Sequence, residues 1–231
     1  PSDRFSPPFF LSILRFAVSS MNFTRFLKQL RSGYDYDGQV AHVEKIPPRE
    51  PQFASAEDLQ PAVVDALRQL GIEKLYTHQA EAVSALGKGE DVTVVTPTAS
   101  GKTLCYQIPT LEALLEDGEA TSLYLFPTKA LAQDQLKGLL ELLSCDEEIA
   151  GKIKPGVFDG DTPTSQRRRI KAESSLVLSN PDMLHASILP YHAKWSRFFS
   201  NLKYSTAYSG KLETLTTMII KIYNFITVNL I

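Results

Sequence analysis

The chain predicts an α/β domain whose mostly parallel sheet carries helices on both faces, and three observations lead there. The apolar segments Leu123-Tyr124-Leu125-Phe126, Val157-Phe158 and Leu176-Val177-Leu178 are each separated from the next by a stretch with helical apolar spacing. Strands alternating with helices in this way form parallel sheets covered on both sides. Upstream, the β-branched run Val92-Thr93-Val94-Val95 leads through a Gly-Lys-Thr turn into Leu104, Ile108, Leu111 and Leu115, which predicts strand, loop and helix in succession. Finally, 231 residues can bury on the order of 70% of their extended surface, enough for one well-packed domain and tight for two.

In chain order, residues 1–20 begin with Pro1 and run apolar through Phe9 to Leu14 before Arg15 interrupts. A secretory signal would carry a start methionine, so this stretch reads as a non-native leader with Met21 as the start. Phe23, Phe26, Leu27 and Leu30 recur at helical spacing and predict a short amphipathic helix ending at Gly33. A polar linker with Pro47, Pro48 and Pro51 follows, so 21–52 is a helix plus linker ahead of the main domain. Pro61 opens a helix with Val64, Leu67 and Leu70 on one face, stopped by Gly71, and Thr77 is expected to cap another that runs to Gly87.

The loop Thr96-Pro97-Thr98-Ala99-Ser100-Gly101-Lys102-Thr103 is where the chemistry points. Backbone N–H groups and the positive end of the following helix attract anionic phosphates, a lysine reaches the β/γ-phosphates, and a hydroxyl takes magnesium. Lys102 and Thr103 fill those two roles, with Thr103 the expected metal ligand, and Gly101 lets the backbone approach closely. The first glycine of the usual pattern is replaced by Thr96. The loop by itself leaves kinases, transporters, GTPases and helicases open.

Flanking residues narrow the choice. Gln79 lies 23 positions before Lys102 within Leu75-Tyr76-Thr77-His78-Gln79, and Phe53 is followed by seventeen residues and then Gly71. This arrangement resembles the Q motif of superfamily 2 DEAD/DEAH-box helicases, which implies that Gln79 reads the adenine edge while an upstream aromatic, Phe53 with Tyr76, packs on the base. Pro127-Thr128-Lys129-Ala130-Leu131-Ala132-Gln133-Asp134-Gln135 resembles helicase motif Ia. Asp159-Gly160-Asp161-Thr162 and Ser179-Asn180-Pro181-Asp182 stand where that family places further strand-contacting loops.

The wording of these segments is similar to the bacterial DNA helicases related to mitomycin repair factor A, over residues 53–204. The resemblance implies a first RecA-like P-loop domain that binds ATP and Mg2+. It also implies that Pro127, Thr128, Lys129, Gly160, Asp161, Ser179, Asn180, Pro181 and Asp182 hold single-stranded DNA without reading its sequence. The implied setting is ATP-driven movement along DNA in repair, with a second RecA-like domain and a zinc-binding domain outside this chain.

After Leu202-Lys203-Tyr204 the family continues into an Asp-Glu-Ala-His box that positions magnesium and water. This chain instead reads Ser205-Thr206-Ala207-Tyr208-Ser209-Gly210. The expectation is therefore a domain incomplete at its C-terminus, with 205–231 a non-family tail. Such a chain holds nucleotide and DNA without turnover, which makes an inactive binding module the competing functional reading. Another P-loop NTPase is disfavoured by Gln79 and by motif Ia.

The remaining features bound the reading. With 24 basic and 26 acidic side chains the formal charge is −2, so any nucleic-acid contact must be local. No internal repeat and no 18-residue uncharged apolar run appears, which excludes a solenoid and predicts no membrane partner. Cys105 and Cys145 lack metal-like neighbours and are expected to be reduced thiols in a cytoplasmic protein. Arg167-Arg168-Arg169 with Lys171 reads as a solvated helix face, because consecutive helical residues point in different directions. Trp195, Phe198 and Phe199 have near-helical spacing and are expected in the core, and His185 and His192 are left unassigned.

Overall fold

The computed structural model describes residues 23–44, 50–54, 59–97 and 100–208. The expected leader, the proposed start at Met21, Pro47 and Pro48, Thr98 and Ala99 of the phosphate loop, and the tail from 209 onward lie outside the described residues. The chain divides into two units, residues 1–50 and 51–231. In the first, α1 (Phe23–Arg31) forms where the spacing predicts a helix, with Lys28 and Arg31 in its last turn. Phe23 and Phe26 stack at 6.5 Å, and none of its residues is buried.

The second unit is built on a four-stranded sheet of β3 (Thr121–Leu125), β4 (Pro155–Val157), β5 (Leu176–Ser179) and β6 (Leu202–Ala207). The spatial order is β4-β5-β3-β6 and every pairing is parallel. The connections are helical: α5 (Lys129–Leu143) and α6 (Glu147–Lys152) after β3, and α7 (Thr164–Glu173) after β4. After β5 come a short α8 (Pro181–Met183), a π turn (Leu184–Ile188), a 3-10 segment (Leu189–Trp195) and α9 (Ser196–Ser200). Ahead of the sheet lie a two-stranded antiparallel ribbon, β1 (Phe53–Ala54) with β2 (Leu75–Tyr76), and the helices α2 (Pro61–Gln69), α3 (Thr77–Gly87) and α4 (Lys102–Glu116).

Period-2 alternation distributes the strand side chains between two cores. Tyr124, Leu176 and Leu178 pack with Val63, Leu67, Ile108, Leu111 and Leu139 of α2, α4 and α5. Leu123, Leu125 and Val177 point the other way, into Phe158, Ile170, Ile188, Trp195 and Phe198. The expected core aromatics Trp195, Phe198 and Phe199 are all buried there, with Trp195 edge-on to both Phe158 and Phe198. Both cysteines are free thiols, Cys105 buried and Cys145 partly so.

Two expectations need correction. Residues 92–95 are not a strand: they form no ladder among the described residues, and Val95 is 82% exposed. β-branched side chains favour extended geometry, but membership of a sheet also needs a partner backbone in register. Both sides of β3 are occupied by β5 and β6, so no interior place remains beside it. At α3, Thr77 is the first helical residue rather than the cap, and Tyr76 takes the capping position. The side chain of Gln79 accepts the Tyr76 N–H at 2.9 Å, while the Thr77 hydroxyl donates to Gln52 O at 3.1 Å.

β6 continues past Tyr204, pairing Ser205, Thr206 and Ala207 with Leu123, Tyr124 and Leu125. Among the described residues no helix is long and apolar enough to cross a membrane.

Leu178 lies fully buried in β5, so Leu178→Ala is expected to cost about 2–5 kcal/mol of unfolding free energy, through lost burial and an unfilled cavity. Half-exposed Leu140→Ala on α5 is expected within about 0.5 kcal/mol of the parent chain. Urea unfolding of both variants checks the pair, and equal losses would contradict this assignment of the core.

Candidate nucleotide and strand site

The phosphate loop ends at Gly101, whose φ of +73° lies in the left-handed region, and α4 starts at the next residue. A Cβ at that position would sit 2.4 Å from Gln79 Nε2, so glycine is required both by conformation and by proximity. Gln79, 2% exposed, spans the gap: its Oε1 accepts the Tyr76 N–H and its Nε2 donates to Gly101 O at 2.8 Å. One amide thus ties the start of α3 to the phosphate loop. An amide carries two N–H groups and two lone pairs, so each end retains one further hydrogen-bonding capacity.

The sequence did not single out His78, yet His78 Nε2 lies 3.0 Å from Ser100 O. Its ring also continues a stack in which Phe53 and Tyr76 are 5.2 Å apart and Tyr76 and His78 are 5.8 Å apart. Phe53 is half exposed, leaving one apolar ring face open beside the loop.

Lys102 turns its ammonium into its own loop. It donates to Thr96 O at 2.9 Å and Pro97 O at 2.6 Å, and approaches Thr96 Oγ1 and Ser100 Oγ at 3.4 and 3.3 Å. Thr96 and Ser100 in turn share a hydroxyl contact of 2.5 Å. Every oxygen around the ammonium is uncharged, and no carboxylate pairs with it among the described residues. A cation held only by neutral acceptors, beside a helix N-terminus, has the electrostatics that attract an anion.

Thr103 Oγ1 donates to Gln135 Oε1 at 3.4 Å, and Tyr106 donates to the same oxygen at 2.8 Å. Burial pushes the Tyr106 phenol up to about 12, so it stays a donor through the physiological range. Gln135 lies on α5, which makes the hydroxyl end of the phosphate loop a neighbour of the motif Ia helix.

The three loops proposed for strand contact all follow the carboxyl ends of parallel strands, which places them along one edge of the sheet. Pro127, Thr128 and Lys129 are exposed, and Thr128 caps α5 by accepting the Leu131 N–H. Lys129 reaches across to Asp161 at 2.7 Å, so the loops after β3 and β4 meet, and this hydrogen bond holds the ammonium above its usual range. Asn180 Oδ1 caps α8 by accepting the Met183 N–H, with Pro181 as the first helical residue and Asp182 exposed. Ser179, 1% exposed, gives its hydroxyl to Phe158 O, so it braces the sheet and offers no surface to a strand.

Arg167 departs from the solvated face expected of the basic run. It donates to Thr162 O and Asp159 O at 2.8 Å each and to Gly160 O at 3.2 Å, lashing the loop after β4 to α7. Its guanidinium also lies 5.2 Å from the Phe158 ring centre. Three backbone acceptors arranged around a forked donor could not be read from spacing alone. Arg169 does behave as a surface residue and pairs with Glu173. Among the described residues no group of His, Cys, Asp or Glu could hold a metal ion, and His185 and His192 remain without a metal role.

Gly101→Ala is expected to cost at least about 1–2 kcal/mol from the left-handed backbone alone, and to displace Gln79 as well. Urea unfolding measures it, and a loss below about 0.5 kcal/mol would contradict the described loop.

Comparison with known proteins follows this geometry. A profile of the DEAD/DEAH box helicase family matches residues 76–206. The ATP-dependent helicase YprA of Bacillus subtilis is 44% identical over 179 residues, covering 77% of this chain and 24% of YprA. The ATP-dependent helicase hrq1 of Schizosaccharomyces pombe is 42% identical over 181 residues, covering 77% of this chain and 17% of hrq1. Among solved structures, the helicase MrfA bound to DNA and AMPPNP aligns with a TM-score of 0.71 at 42% identity, covering 80% of this chain and 25% of MrfA. A DEAD-box helicase bound to single-stranded RNA, at 16% identity and a TM-score of 0.61, shares the fold. The chain thus spans a quarter or less of the curated relatives it matches. A family match across more than half of the chain, lying over the phosphate loop, Gln79 and the loops after β3, β4 and β5, establishes that this chain belongs to the DEAD/DEAH box helicase family.

Proposed function

We propose that this chain forms the ATP- and strand-binding part of the first motor domain of a DNA helicase acting in repair. The single observation that carries the reading is Lys102, a cation surrounded by neutral oxygens at the start of α4. Exchanging two carbonyl contacts for a phosphate replaces neutral hydrogen bonds by charge-assisted ones, about twice as strong. In this reading Gln79 uses its second donor and acceptor on the adenine edge, and Phe53 offers its open ring face to the base. The end of the loop at Gly101 and the start of α4 would meet the phosphates. Thr103 would hold magnesium by a hydroxyl lone pair while its hydroxyl donates to Gln135. Bound magnesium would supply charge neutralisation at the phosphates.

A single strand then runs along the edge formed by Thr128, Lys129, Gly160, Asp161, Asn180 and Asp182, held through phosphates and not through base edges. Binding of DNA and AMPPNP by MrfA, and the ATP dependence of YprA and hrq1, support the choice of ligands. A cytoplasmic setting fits two cysteines that are both free. The relatives' greater length leaves room for the second motor domain and the zinc-binding domain that the resemblance implies.

The competing reading, retention of nucleotide without turnover, applies to the chain as written. β6 brings Ser205, Thr206 and Ala207 alongside β3, and no acidic side chain occupies that strand. The chain is therefore expected to bind a nonhydrolysable ATP analogue with Mg2+, and Lys102→Ala to weaken that binding by about 1.5–3 kcal/mol. Titration calorimetry decides this, and unchanged affinity would sink the reading. Phosphate release in the presence of single-stranded DNA is expected to stay at the level of the Lys102→Ala control. DNA-stimulated turnover above that control would show that the acidic pair is dispensable here.

A further inference from the structure

Helix α7 separates its basic residues onto two faces. Arg169 turns toward Glu173, whereas Thr164, Arg167, Arg168 and Lys171 stand at i, i+3, i+4 and i+7 and so share a single stripe. Opposite that stripe lies Lys194 of the 3-10 segment. Together these residues line an open cleft of about 450 Å³ that contains four cations and no carboxylate.

The cations are placed in different ways. Arg167 is committed to the backbone of the loop after β4. Lys171 is held by aromatic faces, its ammonium 5.5 Å from the Phe158 ring centre and 5.6 Å from that of Trp195. Lys194 rests on Tyr191 at 5.3 Å. Arg168 is exposed and makes no hydrogen bond or ion pair among the described residues. Burial lowers the Lys171 pKa, and the neighbouring charges of Lys194 and Arg167 lower it further, so like charges repel one another across the cleft. An anion between them would relieve that repulsion.

Position argues for a nucleic-acid strand over a free anion. Through Arg167, the cleft is continuous with Asp159, Gly160 and Thr162, the loop already assigned to strand contact, and the aromatic floor under Lys171 keeps the seat rigid relative to it. We propose that the cleft between α7 and Lys194 is a further seat for a backbone phosphate of a single nucleic-acid strand, next to the loop after β4. The assignment rests on the strand-binding reading given above, and it uses Arg168 and Lys194, which that reading does not.

Fluorescence anisotropy of a labelled oligo-dT across a salt series tests it, with parent chain, Arg168→Ala/Lys194→Ala, and Arg169→Ala on the other face as control. Both cleft side chains are exposed, and circular dichroism confirms that the variants remain folded. The slope of log K against log salt is expected to shrink by about 0.7 in the double variant, for the one lost phosphate contact, and to stay unchanged in Arg169→Ala. A double variant with the parent slope and affinity overturns the cleft while leaving the loop reading intact. Absence of oligo-dT binding by the parent chain overturns both. Inorganic phosphate at fixed ionic strength separates the two sources: it is expected to displace oligo-dT from the parent and less from the double variant. Phosphate binding that needs Arg168 and Lys194 but leaves oligo-dT affinity unchanged makes the cleft a free-anion site, and the strand assignment falls.

Discussion

Burial on both faces of β3 and β5 is the constraint from which the rest follows. A parallel strand has no hairpin partner and depends on helices returning its chain to the starting end, so both sheet faces become covered. Leu123 and Leu125 serve one core while Tyr124 serves the other, and Leu176 and Val177 divide in the same way. The same topology delivers every strand's carboxyl end to one edge. The loops beginning at Pro127, Asp159 and Asn180 therefore become neighbours, although they are far apart in sequence. The clustering of these loops at one edge is a by-product of how parallel strands must be connected.

Gln79 couples that scaffold to the phosphate loop. A buried amide left unpaired would cost about 1–3 kcal/mol, and here both ends are satisfied, by Tyr76 N–H and by Gly101 O. Because Gly101 O is one of these partners, the loop's position and the start of α3 are not independent. A second link runs from Thr103 through Gln135 to α5, the helix that opens with Lys129. The Thr103–Gln135 link thus joins the phosphate loop to the helix proposed to face the strand, the kind of contiguous contact through which occupancy of one proposed site can influence the other.

Much of this was legible in the sequence. Leu123 to Phe126 and Leu176 to Leu178 announced themselves because two-sided burial makes a strand uniformly apolar. Gly101, Lys102 and Gln79 stood out in the sequence because the roles proposed for them depend on residue type at a fixed spacing. What failed depended on partners. The run at 92–95 has the composition of a strand and lacks a ladder, because pairing belongs to two backbones and composition to one. Ser179 resembled a strand contact and is a brace, its hydroxyl turned inward to Phe158 O. Arg167 looked solvated and is a clamp, since backbone carbonyls that gather in space leave no mark in the sequence. The basic stripe was hidden by its adjacent arginines: Arg167 and Arg168 belong to it and Arg169 does not, a distinction that helical geometry makes and a charge count cannot.

β6 separates two requirements that active domains satisfy together. Its backbone needs only extended geometry and free N–H and C=O groups to add to β3, and Ser205, Thr206 and Ala207 meet that need, with Tyr208 N–H continuing the contact to Leu125 O. Catalysis asks for something different at the same address, namely carboxylates able to hold a divalent cation and orient water. A hydroxyl or methyl side chain supplies neither the charge nor the geometry. The strand can therefore form, and the family likeness can extend through residue 206, without an acidic side chain in β6. In the proposed reading binding draws on the phosphate loop and turnover on carboxylates at the end of β6, so the first can persist without the second.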